Sequence, residues 1–254
     1  MERKTIQKLS VILPIHNEEK LLPVTLPSIY RLAPDEVIIL FDRCTDNSEK
    51  IAASLVEIHQ TSGETRFVNI EESETDYVFR HAFLRKYGTG LAKHEWVMWC
   101  NSDIIFDHEI RKYFFLLDDE KMGLLSFLHL DYPITWRNLI IRLMVKLKIS
   151  QFPTAGTMIF RKKAVKETED PESLKRITVG QDTHLYQAIS RKYVTKSILS
   201  KNLHLRPYNH AVRDLKCGVA YREQGLSFFR VLFNTVLLMR FKLLIGYLSK
   251  ESED

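Results

Sequence analysis

Asp103 poses the first chemical question in this 254-residue chain. The apolar run from Trp96 to Cys100 leads straight into Asn101, Ser102 and Asp103, and Ile104, Ile105 and Phe106 then resume the apolar pattern. A carboxylate beside a buried strand is costly unless a turn amide, a basic side chain or a cation pairs with it. Carboxylate and water are ligands that magnesium and manganese favour, so a divalent cation is one partner Asp103 can serve. Other polar groups repeat this placement: His16 to Glu18 follow LSVILPI, and Asp42 to Asp46 follow EVIILF. Glu18 and Asp46 also suit the first turn of a helix, where acids meet the positive end of the helix dipole.

Two later segments carry further reactive side chains. Asp182 opens a helical pattern in GQDTHLY, where a carboxylate can accept a proton or cap the helix. In NLHLRPYNH, His204 has the chemistry of a metal ligand or of a satisfied structural imidazole, and Arg206 presents donors in a fork that matches phosphate. Gly156 in PTAGTMIF precedes a strand and permits either a close backbone approach or a plain turn.

The elements that must position these groups alternate regularly in the first half. Apolar runs predict strands over 9–15, 36–41, 66–70 and 95–100, separated by helical patterns over 18–30, 45–59 and 75–91. Strands separated by helices of this length imply a mostly parallel sheet covered on both faces. Ligands of such sheets sit beyond the carboxyl ends of the strands, where all three polar clusters fall. The second half is looser. It predicts a helix over 109–117, strands over 123–130 and 157–161, a loop over 162–176 and a helix over 182–189.

With 45% hydrophobic residues, the chain can fill one large core. Three cysteines without metal-site spacing suggest neither a zinc site nor a disulfide framework, and point to a reducing compartment. No apolar segment long enough for a signal peptide precedes Pro14, which predicts a cytoplasmic protein. The net charge of +5 suits a phosphate-rich ligand or an anionic surface. No run of basic residues interleaved with aromatics points to nucleic acid.

The order ILPIHNEEKLLPVTLPSI, ILFDRCTDNSEKIA, WVMWCNSDIIF and GQDTHLY resembles the inverting family 2 glycosyltransferases over about residues 9–190. The resemblance implies the α/β GT-A fold, a Rossmann-related, mostly parallel mixed sheet flanked by helices. It also implies a nucleotide-sugar donor and a divalent cation, Mg2+ or Mn2+. By this likeness Asp42 binds the nucleotide, and Asn101, Ser102 and Asp103 stand at the DxD-like motif; Pro14, His16, Asn17 and Glu18, in the loop after the first strand, would surround the nucleoside. Asp103 and Asn101 would then hold the metal, with His204 as a third ligand. Gln181 and Asp182 take the place of the acidic pair, Asp182 as catalytic base, while Gly156, Gln181 and Arg206 face donor or acceptor. Phe41, Asn101 and Gln181 each stand where family members often have an acid. Asn101 keeps a neutral oxygen for a metal or a ribose hydroxyl. The absence of a QxxRW motif is unlike the processive synthases and implies a single transfer.

Two basic, apolar segments address the acceptor. In residues 132–150, Trp136, Leu139, Ile140, Leu143, Met144 and Leu147 gather on one helical arc, flanked by Arg137, Arg142, Lys146 and Lys148. Residues 225–250 predict a second amphipathic helix whose longest charge-free run, Val231 to Met239, is too short for a transmembrane span. The resulting division is a transferase domain over 1–224 and an appendage over 225–254. These segments lead to the expectation of a lipid-linked or membrane-proximal acceptor and peripheral attachment to a cytoplasmic membrane face. Core packing and a homodimer interface are the other readings. A catalytically degenerate binding protein, motivated by Phe41, Asn101 and Gln181, and a nucleotidyltransferase are the competing functions. HNEEKLLP lacks the glycine-rich loop expected of the latter.

Overall fold

The protein is described from a computed structural model, in which residues 7–59, 63–72, 75–77, 79–149, 153–154, 156–169, 175, 180–206, 210–223 and 225–249 are placed. Among the described residues, eight strands form one mixed sheet in the order β3-β2-β1-β4-β7-β6-β8-β5. They are β1 Leu9–Ile15, β2 Glu36–Asp42, β3 Glu64–Ile70, β4 Trp96–Cys100, β5 Ile104–Ile105, β6 Met122–Asp131, β7 Thr157–Arg161 and β8 Val194–His204. The β3-β2-β1-β4 half is parallel, β7 runs antiparallel between β4 and β6, and β6 and β8 are parallel.

Strand periodicity explains why both faces are covered. Val11, Leu13 and Ile15 of β1, Val37, Ile39 and Phe41 of β2, and Trp96, Met98 and Cys100 of β4 enter one hydrophobic cluster. Their neighbours Ile12, Ile38, Leu40, Val97 and Trp99 enter the other. Alternate side chains point to opposite faces, so continuous apolar runs can fill both. The first face receives α1 (Leu22–Tyr30), α2 (Ser48–His59) and a 3-10 segment, His108–Asp118. The second receives α3 (Arg80–Leu91), α5 (Lys162–Thr168) and α6 (Gln181–Ser190). The fourth helix in chain order, α4 (Trp136–Lys146), lies between β6 and β7 in sequence.

Several expected elements differ. The loop predicted from residue 162 begins instead as α5, whose Ala164 and Val165 are buried. The single helix expected over 225–250 is two, α8 (Phe228–Leu238) and α9 (Phe241–Leu248), broken where Met239 takes a left-handed φ of 50°. The helix α7, His210–Glu223, had no counterpart in the sequence reading. Tertiary packing accounts for the break. Gly218 of α7 and Gly246 of α9 meet so closely that a Cβ on either would collide with the other helix's backbone. Arg240, in the break, donates to Asp214 of α7 at 2.9 Å. Cys217, Leu226, Val231 and Leu243 form a small core of their own beneath these helices.

Candidate active site

The first strand delivers its polar loop at the sheet's carboxyl edge. Pro14 itself is buried within β1 opposite Leu40, so the loop begins at His16. His16 Nδ1 lies 2.6 Å from the Asp42 carbonyl, and Asn17 takes a left-handed φ of 54° while its side-chain Oδ1 accepts from the Thr45 amide. Asp46 serves as a helix-entry residue, accepting from Ser48 N at 2.9 Å and Glu19 N at 3.0 Å. Asp42, the last residue of β2, is buried against Arg80 at 2.8 Å and Arg43 at 3.0 Å. Burial alone would raise its pKa, but hydrogen bonds and charge from Arg80 and Arg43 outweigh it and hold the carboxyl below its ordinary value.

Glu18 is buried at the same edge. Its carboxylate accepts from Ser102 Oγ at 3.1 Å and from Arg206 Nη2 at 2.5 Å. Loss of hydration dominates here and raises its pKa against the opposing pull of Arg206. Arg206 Nε also lies 3.9 Å from Asp103, so one guanidinium faces both acids.

Sheet register brings Asp103 and His204 together. His204 ends β8, pairs with Ile104 on one side and with Asp131 of β6 on the other, and Leu205 N donates to the Asp103 carbonyl at 2.9 Å. The imidazole consequently bridges two carboxylates, with Nε2 3.3 Å from Asp103 Oδ2 and Nδ1 3.1 Å from Asp131 Oδ1. Burial depresses the His204 pKa, yet hydrogen bonds and charge from Asp103 and Asp131 win and push it up to about 9. His204 also holds Asp103 below the usual carboxylate range against the effect of burial. Asp103 Oδ1 is buried and has no hydrogen-bond partner among the described residues. A cation would satisfy that oxygen; the carboxylate suits manganese or magnesium, and the imidazole beside it favours manganese, the softer of the two. His129, Asp131 and His204 also bring ligand atoms within 4.8 Å of one another.

A cavity of about 600 Å3 opens beside this edge. Asn101, Gly156, Gln181 and Asp182 line it, together with His81, Arg85, His129 and Asp131. Asn101 does not turn towards Asp103's partners. Its Oδ1 accepts from Arg85 Nη2 at 2.6 Å, and a Cβ on Gly156 would lie 2.8 Å from the Asn101 carboxamide. Gly156 is thus the close-approach glycine that leaves Asn101 its place. Gln181 is buried, and neither polar atom of its side chain has a partner among the described residues. Asp182 lines the same cavity, and its Oδ1 accepts from Thr183 N at 2.9 Å. Burial, and then the Arg85 charge, push the His81 pKa down to about 4, so this imidazole is neutral near pH 7.

The structure therefore divides the sequence-predicted residues into two neighbouring groups. His16, Glu18, Asp42, Ser102, Asp103, His204 and Arg206 gather at the strand ends, while Asn101, Gly156, Gln181 and Asp182 line the cavity. Sequence reading missed Arg80, Arg85, His129 and Asp131. The last two carried a signal, since His129 and Asp131 are two apart at the end of an apolar strand and share a face. Arg80 and Arg85 carried none, because a helical arginine usually faces water.

This sheet, with its acidic carboxyl edge, defines an α/β protein of the GT-A class. The sequence pattern described as Glycosyl transferase family 2 matches residues 10–168, and the chain belongs to that family. Comparison with curated protein sequences gives no match. Among solved structures, the mannosyltransferase PcManGT from Pyrobaculum calidifontis, in complex with GDP-Man and Mn2+, superposes with a TM-score of 0.67 at 13% identity, covering 97% of this chain and 71% of the other. TarS 1-349 of S. aureus gives 0.59 at 16% identity, with 95% and 72% covered. Glucosyl-3-phosphoglycerate synthase from Mycobacterium tuberculosis, in complex with Mn2+, UDP and glucosyl-3-phosphoglycerate, gives 0.57 at 17%, with 92% and 80% covered. At these identities the likeness establishes the fold.

Proposed function

We propose that the protein is a metal-dependent inverting glycosyltransferase that moves a single sugar from a nucleotide-sugar donor to an acceptor at a membrane surface. The observation that carries this reading is the meeting of Asp103 and His204 at the strand ends, two residues from an Asn101 that shares its cavity with Asp182. GDP-Man and UDP-GlcNAc in the neighbouring structures support a nucleotide-sugar donor. Asp103 and His204 would hold Mn2+ or Mg2+, which offsets charge on the departing diphosphate when bound. Arg206 balances Glu18 and Asp103 without ligand and is placed to turn to the diphosphate oxygens.

Asp182 accepts the acceptor hydroxyl's proton. The freed oxygen forms the new bond to the anomeric carbon as the bond to the diphosphate oxygen breaks on the opposite face, which inverts that carbon. The nucleoside diphosphate keeps the bonding pair, and the proton passes from Asp182 to solvent. Gln181, whose buried amide has no described protein partner, offers both a donor and an acceptor to a sugar hydroxyl.

The membrane assignment rests on charge and exposure. Leu139 and Leu143 of α4, Phe229, Phe233 and Val236 of α8, and Phe241, Ile245 and Leu248 of α9 are all exposed. Residues 132–149 and 225–249 contain no Asp or Glu, whereas Arg137, Lys146, Arg230 and Lys242 lie among them. Arg137 Nη2 donates to the Met239 carbonyl at 3.1 Å, joining α4 to the α8–α9 break. Both α4 and α8 also line the cavity, through Arg137, Ile141, Arg230 and Leu238. An apolar face with basic and no acidic side chains complements anionic lipid, and no helix among the described residues is long and apolar enough to cross a bilayer. Residues 225–254 are accordingly assigned as a surface-binding appendage to a transferase domain over 1–224.

Product analysis tests the reaction. Nucleoside diphosphate and a glycoside of inverted configuration are expected from a donor panel of UDP and GDP sugars with lipid-linked acceptors, with turnover lost on chelation. A folded protein that binds UDP and GDP sugars but turns none over would favour the degenerate binding protein, and released pyrophosphate would mark a nucleotidyltransferase.

A further inference from the structure

We propose that Asp131 is a positioning residue for the cation site, holding the His204 ring so that Nε2 faces Asp103. The proposal rests on the metal-dependent reading above and adds a residue to it. His204 has two ring nitrogens, and the structure assigns them opposite partners: Asp131 at Nδ1 and Asp103 at Nε2. An imidazole that gives Nδ1–H to a carboxylate leaves Nε2 as the nitrogen that can bind a metal, and a cation bound there would displace the Nε2 proton to solvent.

Asp131 is itself held. Asn138 Nδ2 donates to Asp131 Oδ2 at 3.0 Å, and Asp131 N donates to Asn138 Oδ1 at 2.6 Å. Thr135 caps α4 by accepting from Asn138 N at 3.3 Å, so the helix entry fixes Asn138, which fixes the carboxylate. Strand pairing opposes Asp131 to His204, and Tyr132 N donates to the His204 carbonyl at 2.8 Å. These constraints come from strand pairing, the helix cap and the Asn138 side chain, and with them Asp131 faces Nδ1. His129 Nε2, 3.7 Å from Asp131, is the farther neighbour. A site ligated by His129, Asp131 and His204 directly would instead leave the orphaned Oδ1 of Asp103 without its cation.

The test is calorimetric titration of Mn2+ into the full chain with saturating UDP or GDP, for the unchanged protein and for Asp131→Ala, Asp131→Asn and His129→Gln. Asp131→Ala is expected to weaken Mn2+ binding about 10- to 100-fold, Asp131→Asn less because its amide oxygen still accepts Nδ1–H, and His129→Gln by under about twofold. Nitrogen NMR of the Mg2+-loaded protein gives a second reading: a hydrogen-bonded Nδ1–H of His204 in the unchanged protein, exchange-broadened in Asp131→Ala. Thermal melts establish which variants are folded, and Asp131→Asn keeps the test valid should the alanine variant unfold. Equal Mn2+ affinity in folded Asp131→Asn and Asp131→Ala and in the unchanged protein would overturn the proposal, as would a loss in His129→Gln as large as that in Asp131→Ala. Failure of the unchanged protein to bind Mn2+ with either nucleotide would instead overturn the cation reading, and the proposal with it.

Discussion

The carboxyl edge of β1, β2 and β4 and the outer face of α4, α8 and α9 are built on opposite principles. At the sheet edge, acids are buried and paired: Asp42 with Arg80, Glu18 with Arg206, Asp103 with His204. On the helical face acids are absent and large apolar side chains such as Phe229, 77% exposed, stand in water. Pre-paired charges hold side chains in place for a small polar ligand, because a ligand or cation can exchange for the existing partner without leaving a bare buried charge. An exposed apolar face gains free energy only when something covers it. The contrast separates a region of buried, paired charge from one of exposed apolar surface, and residues of α4 and α8 line the cavity together with Asn101.

Asp182→Asn should have the largest effect, lowering kcat about 10²- to 10⁴-fold through loss of the base. Steady-state kinetics read this, with donor binding measured separately and expected unchanged. Unaltered kcat would remove Asp182 from the reaction.

Gly246→Leu should separate the two regions. Its side chain cannot fit against the α7 backbone, and overpacking of about 1–3 kcal/mol should loosen α7 and α9. Hydrogen exchange is expected to rise there while UDP or GDP binding with Mn2+ survives. Loss of both together would mean that the helices stabilise the sheet edge as well.

A smaller effect is expected from Phe233→Ser with Val236→Ser, two exposed positions whose change leaves the core intact. Partial insertion of these two side chains in lipid contributes about 1.5 kcal/mol together, so co-sedimentation with anionic vesicles should fall about tenfold. The residual binding should weaken with salt as basic side chains are screened. Gel filtration that shows a dimer broken by the same substitutions, with vesicle binding unchanged, would assign the face to a second copy.

The smallest effect concerns Glu36, fully buried and held by Ser10, the Lys93 amide and Arg66. Burial would raise its pKa, but these hydrogen bonds and the Arg66 charge lower it below the ordinary 4.5. A depressed folded-state value means that its stabilisation is present above the unfolded pKa and is lost as pH falls through the folded one. Glu36→Gln should cost about 1–3 kcal/mol near pH 7 and less below pH 4.5, with urea melts as the measurement. A constant difference across that range would show the charge to be irrelevant.

How much of this was legible differs between the same two regions. The strands β1, β2 and β4 could be read because each is a continuous apolar run followed by polar residues, and Asp42, Asp103 and Asp182 were singled out from that punctuation and the family likeness. The C-terminal helices were read as one because residues 225–250 keep their apolar periodicity through Met239. Arg142 was expected to reach outward beside the apolar arc, yet it donates to the carbonyls of Leu128 and Ser200 and ties α4 to the strand ends.

The sequence by itself determined the alternation of strands and helices, the edge of the sheet where the acids collect, and the unusual absence of acids from two helical segments. These are local or compositional properties, and a single chain displays them without folding. Only tertiary structure decided which charges meet. The pairing of β8 between β5 and β6 sets His204 between Asp103 and Asp131, residues separated in sequence by 101 and 73 positions. Strand register across a sheet is a long-range choice, made by how the whole apolar pattern packs, and no local spacing records it.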